Sequence, residues 1–166
     1  MQAFEFRHTR IPGCIQILPR IMEDTRGRFV KVFHEALFHS GGISQMFREE
    51  YYSVSTKGVL RGLHFQAPPM EHSKLVYCVS GRVLDAVVDI RVGSPTFGQF
   101  ELFSVSAEQT NILFLPAGTA HGFLTLSEQA TMIYKVSSVH SPDHDQGILW
   151  NSIGIPWPEL TPILSS

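Results

Sequence analysis

Apolar and polar residues alternate over short runs along most of this chain, and glycines and prolines break the runs at fairly even intervals. β-Branched and aromatic residues fill Tyr52–Ser55, Leu75–Val79, Val83–Ile90, Gly98–Val105, Asn111–Leu115 and Thr131–Val136, which are therefore predicted strands. Long patterns of helical period are almost missing. The exception is Ala36–Gly41, a predicted short helix: Glu35, Leu37 and Phe38 lead into a Gly-Gly stop. The fold class is accordingly all-β, a small antiparallel sandwich or barrel. Leu75–Ile90 is the clearest predicted hairpin, with Ser80-Gly81 as its turn. Residues 141–147 read as a polar loop, and 151–158 as irregular chain lying on the barrel. With no internal repeat, low-complexity tract or linker, residues 1–166 read as a single domain.

Composition narrows the function classes. Apolar residues make up 43% and charged residues 17%, the balance of a globular domain and not of a disordered one. A formal net charge of -2 supplies no general field for nucleic acid, so an anionic ligand must be met by a few placed cations. No apolar run reaches the ~18 residues of a membrane-spanning helix, and no secretory leader pattern opens the chain. The two cysteines, Cys14 and Cys78, are too few for a disulfide framework and fit a reducing, cytoplasmic compartment. Sheet edges in a small barrel invite pairing between subunits, which makes a homodimer the expected assembly.

The most unusual stretch is Gly58-Val-Leu-Arg-Gly-Leu-His-Phe-Gln66. Simple strand alternation puts Arg61, Leu63 and Phe65 on one face and Leu60, Gly62, His64 and Gln66 on the other, with Gly62 leaving room beside the histidine. An isolated histidine on a strand is more often a satisfied core residue than a catalyst. Here Lys74 follows on the next predicted strand, Pro116-Ala-Gly-Thr-Ala-His121 turns a second histidine onto another, and Tyr134 interrupts an apolar run. These types form a coherent set. Imidazole accepts a proton near neutral pH, ammonium stabilises an enolate oxygen, and a phenol can return a proton from the opposite face. A base on one side and an acid on the other give inversion at carbon.

Pro116-x-Gly118-x-x-His121 matches the second signature of the cupin barrels, whose metal-binding members carry His-x-His and then Glu in the first. This chain has His64-Phe-Gln66 instead, and Glu71, His72 and His121 are poorly spaced to substitute, so no metal is expected. No nucleophile elbow, phosphate loop or dinucleotide fingerprint occurs.

Taken together, these motifs resemble the dTDP-4-dehydrorhamnose 3,5-epimerase family of cupin-fold enzymes. The likeness rests on Asp24-Thr-Arg-Gly27, Val59-Leu-Arg-Gly-Leu-His-Phe-Gln66, Lys74-Leu-Val76, Val88-Asp-Ile-Arg91 and Ser94-Pro-Thr-Phe-Gly98. It continues in Pro116–Phe123, Tyr134-Lys135, Trp150-Asn151 and Gly154-Ile-Pro-Trp-Pro158. The resemblance implies that His64 removes a proton from C3, and from C5 in a double epimerase, of a nucleotide-linked 4-keto-6-deoxyhexose. It further implies that Lys74 steadies the enolate and Tyr134 is the acid. Arg61 and Arg26 match positions that bind substrate and its phosphates; His121, Asp145 and Gln66 join the substrate-contact set. The family implies a homodimer without metal or organic cofactor.

Several positions depart from the family pattern. Lys31 stands where a Glu is usual, Glu49-Glu50-Tyr51 replaces a Gln-Asp-Asn-like stretch, and His140 replaces a second tyrosine. New charge at Lys31 and Glu49, and the ring of Tyr51, bear on which nucleotide is preferred. In the family an Asp shortly after the Pro-Ile-Leu-Ser element orients the base, whereas here Pro162-Ile-Leu-Ser165 is followed only by Ser166. Three explanations stand open: a longer gene product, weakened activity, or another acid. Asp85 and Asp89, on one strand face by parity, are the substitutes to test. The rival functions are a 3,4-ketoisomerase of the same fold, a non-catalytic sugar-nucleotide-binding cupin and a metal-dependent oxygenase.

Overall fold

The computed structural model describes residues 3–165. In chain order it contains β1 (Phe4–His8), β2 (Ile15–Pro19), β3 (Ile21–Asp24), β4 (Gly27–Val30), α1 (Glu35–Ser40), β5 (Glu49–Thr56) and β6 (Leu60–Gln66). There follow β7 (Lys74–Ser80), β8 (Arg82–Asp89), β9 (Phe100–Ser106), β10 (Ile112–Leu115), β11 (Thr119–Thr125), β12 (Gln129–Val136) and β13 (Asp145–Gly147). Two antiparallel sheets face each other, one ordered β1-β2-β10-β7-β12-β5 and the other β13-β6-β11-β8-β9, while β3 and β4 form a separate ribbon. This is a jelly-roll sandwich, in agreement with the all-β expectation.

Strand parity sorts the side chains into three apolar clusters. Between the sheets lie Val76, Cys78, Val87, Leu113, Phe123, Met132 and Tyr134. Leu75, Tyr77, Ile112 and Phe114 point out of the six-stranded sheet, cluster with Phe4 and Ile15 of its strands β1 and β2, and are covered by Phe38 of α1 and Ile43. On the far side Leu60, Leu63, Ala86, Val88 and Leu124 pack under Ile155 and Trp157 of the C-terminal segment. That segment is irregular, as expected, yet firmly seated: Trp157 Nε1–H donates to the Trp150 carbonyl at 3.0 Å. Burying an indole of this size contributes ~2–3 kcal/mol before entropy is counted. With both outer faces covered, β7 is buried over Lys74–Cys78, so its alternation is invisible in a simple hydrophobic pattern.

Three expectations need correction. Leu75–Ile90 is not a hairpin: β7 pairs with β10 and β12, whereas β8 pairs with β9 and β11 in the opposite sheet. Ser80-Gly81 does reverse the chain, but it carries it across the sandwich. Gly81 has φ +78°, and a Cβ there would collide with the Gln129 carbonyl. The 141–147 stretch is not all loop, because Asp145–Gly147 adds an edge strand to β6.

The third correction matters most for the site. β6 pairs His64 with His121 and Arg61 with Phe123, so Gly62 and Leu63 together oppose the single residue Gly122. This bulge shifts the alternation by one. Leu60 and Leu63 face the outer cluster, while Arg61 and His64 face inward. Gly62 does not leave room for a ligand. It has φ +106°, and a Cβ would lie 2.6 Å from the His121 carbonyl oxygen and 2.7 Å from Gly122 Cα, so the space is taken by the neighbouring backbone.

Candidate active site

One end of the space between the sheets is open and forms a cavity of about 1090 Å³, at the upper end of the ~300–1,000 Å³ usual for small-ligand sites. Its walls bring together Arg61 and His64 of β6, Lys74 of β7, His121 of β11, Tyr134 of β12, and Glu49 and Tyr51 of β5. His140 and Asp145 complete the set at the rim. His64 and Tyr134 come from opposite sheets and line the same cavity.

Lys74 is almost fully buried. Its ammonium donates a long 3.4 Å hydrogen bond to the His64 carbonyl, and no carboxylate pairs with it among the described residues. Burial lowers its pKa to about 8, against the opposing pull of Asp145 and Asp85. Burial likewise pushes His64 below its ordinary value, with Asp145 opposing and Lys74, His121 and Arg61 reinforcing the shift. The lowered value favours the neutral imidazole of His64. Tyr134 is pushed up by burial and stays protonated. Its hydroxyl lies 2.9 Å from Ser53 Oγ, and its ring stacks on Tyr51 at 5.0 Å and 21°. Arg61 is oriented by β5 as well, its Nε–H donating to Ser55 Oγ at 2.9 Å.

The two acids considered as partners for His64 do other work. Asp85 is fully buried and lies 2.7 Å from His121 Nε2; burial raises its pKa and His121 pulls it down. Asp89 belongs to a turn: it accepts from Arg91 Nε and Nη2, both at 2.8 Å, and from the hydroxyls of Ser94 and Thr96 at 2.5 and 2.6 Å. Those bonds hold its carboxyl well below the usual range.

Gln66 and two cations also stand apart from the cavity. Gln66 donates its amide to the Met70 and Val139 carbonyls and accepts from Ser141 N–H, which ties the 66–70 and 139–141 segments together. Arg26 folds back on Asp24, with Nη2 2.6 Å from Oδ2, and its side chain is 88% exposed. Lys31 is exposed just beyond β4. Glu49 does line the cavity, and its Oε2 accepts from the His140 backbone N–H at 3.0 Å.

Ser53 and His72 also stand on the wall, although neither is an expected substrate contact. Ser53 shares the inward parity of Tyr51 on β5, the one signal that could have found it. His72, considered only as a metal ligand, has both ring nitrogens without a hydrogen-bond partner, and burial lowers its pKa to about 4.

Comparison with known proteins fits this geometry. The family model described as dTDP-4-dehydrorhamnose 3,5-epimerase matches residues 8–166. The Shigella flexneri protein of that name is 44% identical over 160 residues, covering 95% of this chain and 88% of the relative. The crystal structure of the Bacillus anthracis enzyme with TDP and PPi bound superposes with a TM-score of 0.96 at 37% identity, covering 98% of this chain and 95% of that one. The Legionella pneumophila enzyme in complex with dTDP-4-keto-L-rhamnose gives a TM-score of 0.93 at 37% identity, covering 98% and 88%.

Proposed function

Since the chain belongs to the dTDP-4-dehydrorhamnose 3,5-epimerase family, we propose that its cavity inverts C3, C5 or both in a nucleotide-linked 4-keto-6-deoxy sugar. The chain is a sugar-nucleotide epimerase, an isomerase of cupin fold. The observation that carries the detailed assignment is the disposition of His64 and Tyr134 on opposite sheets with the Lys74 ammonium in the same cavity.

In this reading the 4-keto group acidifies the hydrogens on both flanking carbons. His64 takes the proton, Lys74 stabilises the charge that moves onto the C4 oxygen, and Tyr134 protonates the carbon from the other face. Arg61, the exposed cation of the cavity wall, takes a phosphate through its fork of donors. His121, Asp145, Glu49, Tyr51 and His140 complete the substrate contacts. Arg26 and Lys31 lie away from this chain's own cavity; they join the reading only as contributions to a second subunit's site. A homodimer is supported by the exposed apolar side chains Ile21, Met22 and Phe29 on the β3–β4 ribbon and Tyr52 and Val54 on edge strand β5.

The reaction in this reading draws on no metal or organic cofactor. Free, buried Cys14 and Cys78 suit a reducing cytoplasm, and among the described residues no helix is long and apolar enough to cross a membrane. We treat the whole chain as one functional domain.

The test is deuterium wash-in from solvent with dTDP-, GDP- and CDP-linked 4-keto-6-deoxy sugars, followed by NMR. Label at C3, with or without C5, and an inverted product are expected, and His64→Ala should abolish both. Absence of exchange on every nucleotide would leave only a binding function, and migration of the carbonyl would indicate a ketoisomerase.

A further inference from the structure

An acid that gives its proton to carbon must be recharged before the next turnover, and Tyr134, though it lines the cavity, presents little surface there. It is only 6% exposed. Its ring is covered on one face by Tyr51, and the nearby His121 presents a ring edge at 6.4 Å while its Nε2 is held by Asp85. Among the described residues the phenol hydroxyl has one hydrogen-bond partner, Ser53 Oγ at 2.9 Å. Ser53 is half-buried, less enclosed than Tyr134, and lies on the wall of the same cavity.

We propose that Ser53 is a positioning residue for Tyr134 and the relay through which Tyr134 regains its proton. The proposal rests on the reading of Tyr134 as the acid. When Tyr134 gives its proton to carbon, the Ser53 hydroxyl passes its own proton to the phenolate and takes one from a cavity water. The hydroxide left behind is neutralised by the proton that His64 removed from the sugar, so no net charge accumulates. The same bond fixes the direction of the phenol O–H before the reaction. Burial raises the Tyr134 pKa and the Ser53 bond works against that rise, as a donor to the phenolate would.

The relay is separable from a structural role by product stereochemistry. In D2O, His64 can return a deuteron to the face it deprotonated, giving labelled sugar with retention, whereas delivery through Tyr134 gives labelled sugar with inversion. Ser53→Ala is expected to lower the ratio of inverted to retained product about three- to tenfold, the size of one hydrogen bond. KM should change little, and Ser53→Thr, which keeps the hydroxyl, should restore the ratio to within about twofold. Tyr134→Phe is the reference and should lower the ratio by ~100-fold or more. If Ser53→Ala leaves the ratio unchanged, or lowers both products in proportion, while Tyr134→Phe lowers it, the relay is overturned and the acid stands. If Tyr134→Phe leaves the ratio unchanged, the assignment of the acid falls and the relay falls with it.

Discussion

Arg61 and His64 line the same cavity although simple alternation along their strand puts them on opposite faces. The bulge at Gly62-Leu63 against Gly122 makes this possible by letting the two backbones approach closely. It follows that Gly62→Ala should be among the most damaging single-methyl changes in the protein. The new Cβ meets backbone atoms at 2.6 and 2.7 Å and sits on a residue with φ +106°. A loss of ~3 kcal/mol is expected from the positive φ and the forced backbone shift together. Thermal unfolding measures it. Variant protein that still folds should show activity reduced far more than ligand-independent stability, because Arg61 and His64 lose their common face.

Asp89 was a candidate for orienting the base, but the five described hydrogen bonds of its carboxylate lie within the 89–96 turn. Asp89→Ala should therefore lower stability by ~3 kcal/mol, the cost of leaving Arg91 and two hydroxyls without their acceptor. The folded fraction should keep its turnover number. The stabilisation is present above the ordinary carboxylate pKa and disappears as pH falls through the depressed folded-state value. Wild type and variant should thus converge in stability in strong acid. Denaturant titrations at pH 7 and pH 2.5 check the sign, and a large fall in turnover number would return Asp89 to the catalytic set.

These two cases mark the limits of what the residue pattern carries. Strands such as β12 and β8 are legible because Ile, Val and Thr crowd into short runs, and α1 because Gly41 stops it. Ser80-Gly81 announces a reversal, but which sheet receives the next strand depends on partners far along the chain. The inward placement of Arg61 depends on an irregularity that needs Gly122 from another strand. Asp85 and Asp89 look equivalent by parity, and only the neighbours His121 and Arg91 separate them. His64, Lys74 and Tyr134 are legible as a set from their residue types on predicted strands, and the family resemblance implies the role of each. The Ser53 contact with Tyr134 requires the β5–β12 register, in which Tyr51 pairs with Tyr134.

The proposed roles of a neutral His64 and a charged Lys74 set a window for activity. His64 lies below its ordinary 6.5 because of burial, and Lys74 is lowered to about 8 for the same reason. In the proposed reaction the base works above the His64 pKa, and the enolate is stabilised below the Lys74 pKa. The pH profile of kcat/KM for C3 exchange should therefore be bell-shaped, with its acid limb below 6.5 and its alkaline limb near 8. An alkaline limb above pH ~10, the range of an unperturbed lysine, would remove Lys74 from the rate-determining charge stabilisation.

Asp85 and Asp145 should move that window in different ways. Both carboxylates favour the Lys74 ammonium, but only Asp145 raises His64. Asp85→Asn should shift the alkaline limb to lower pH and leave the acid limb in place. Asp145→Asn should move both limbs down, since losing a nearby negative charge lowers the pKa of each cation. Asp145 is exposed, so its effect should shrink between low and high salt, whereas the fully buried Asp85 should be nearly insensitive. Profiles of both variants at two ionic strengths decide the matter. If Asp85→Asn moves the acid limb instead, its charge acts on the base, and the Asp85–His121 pair would have to be reassigned as the support of His64.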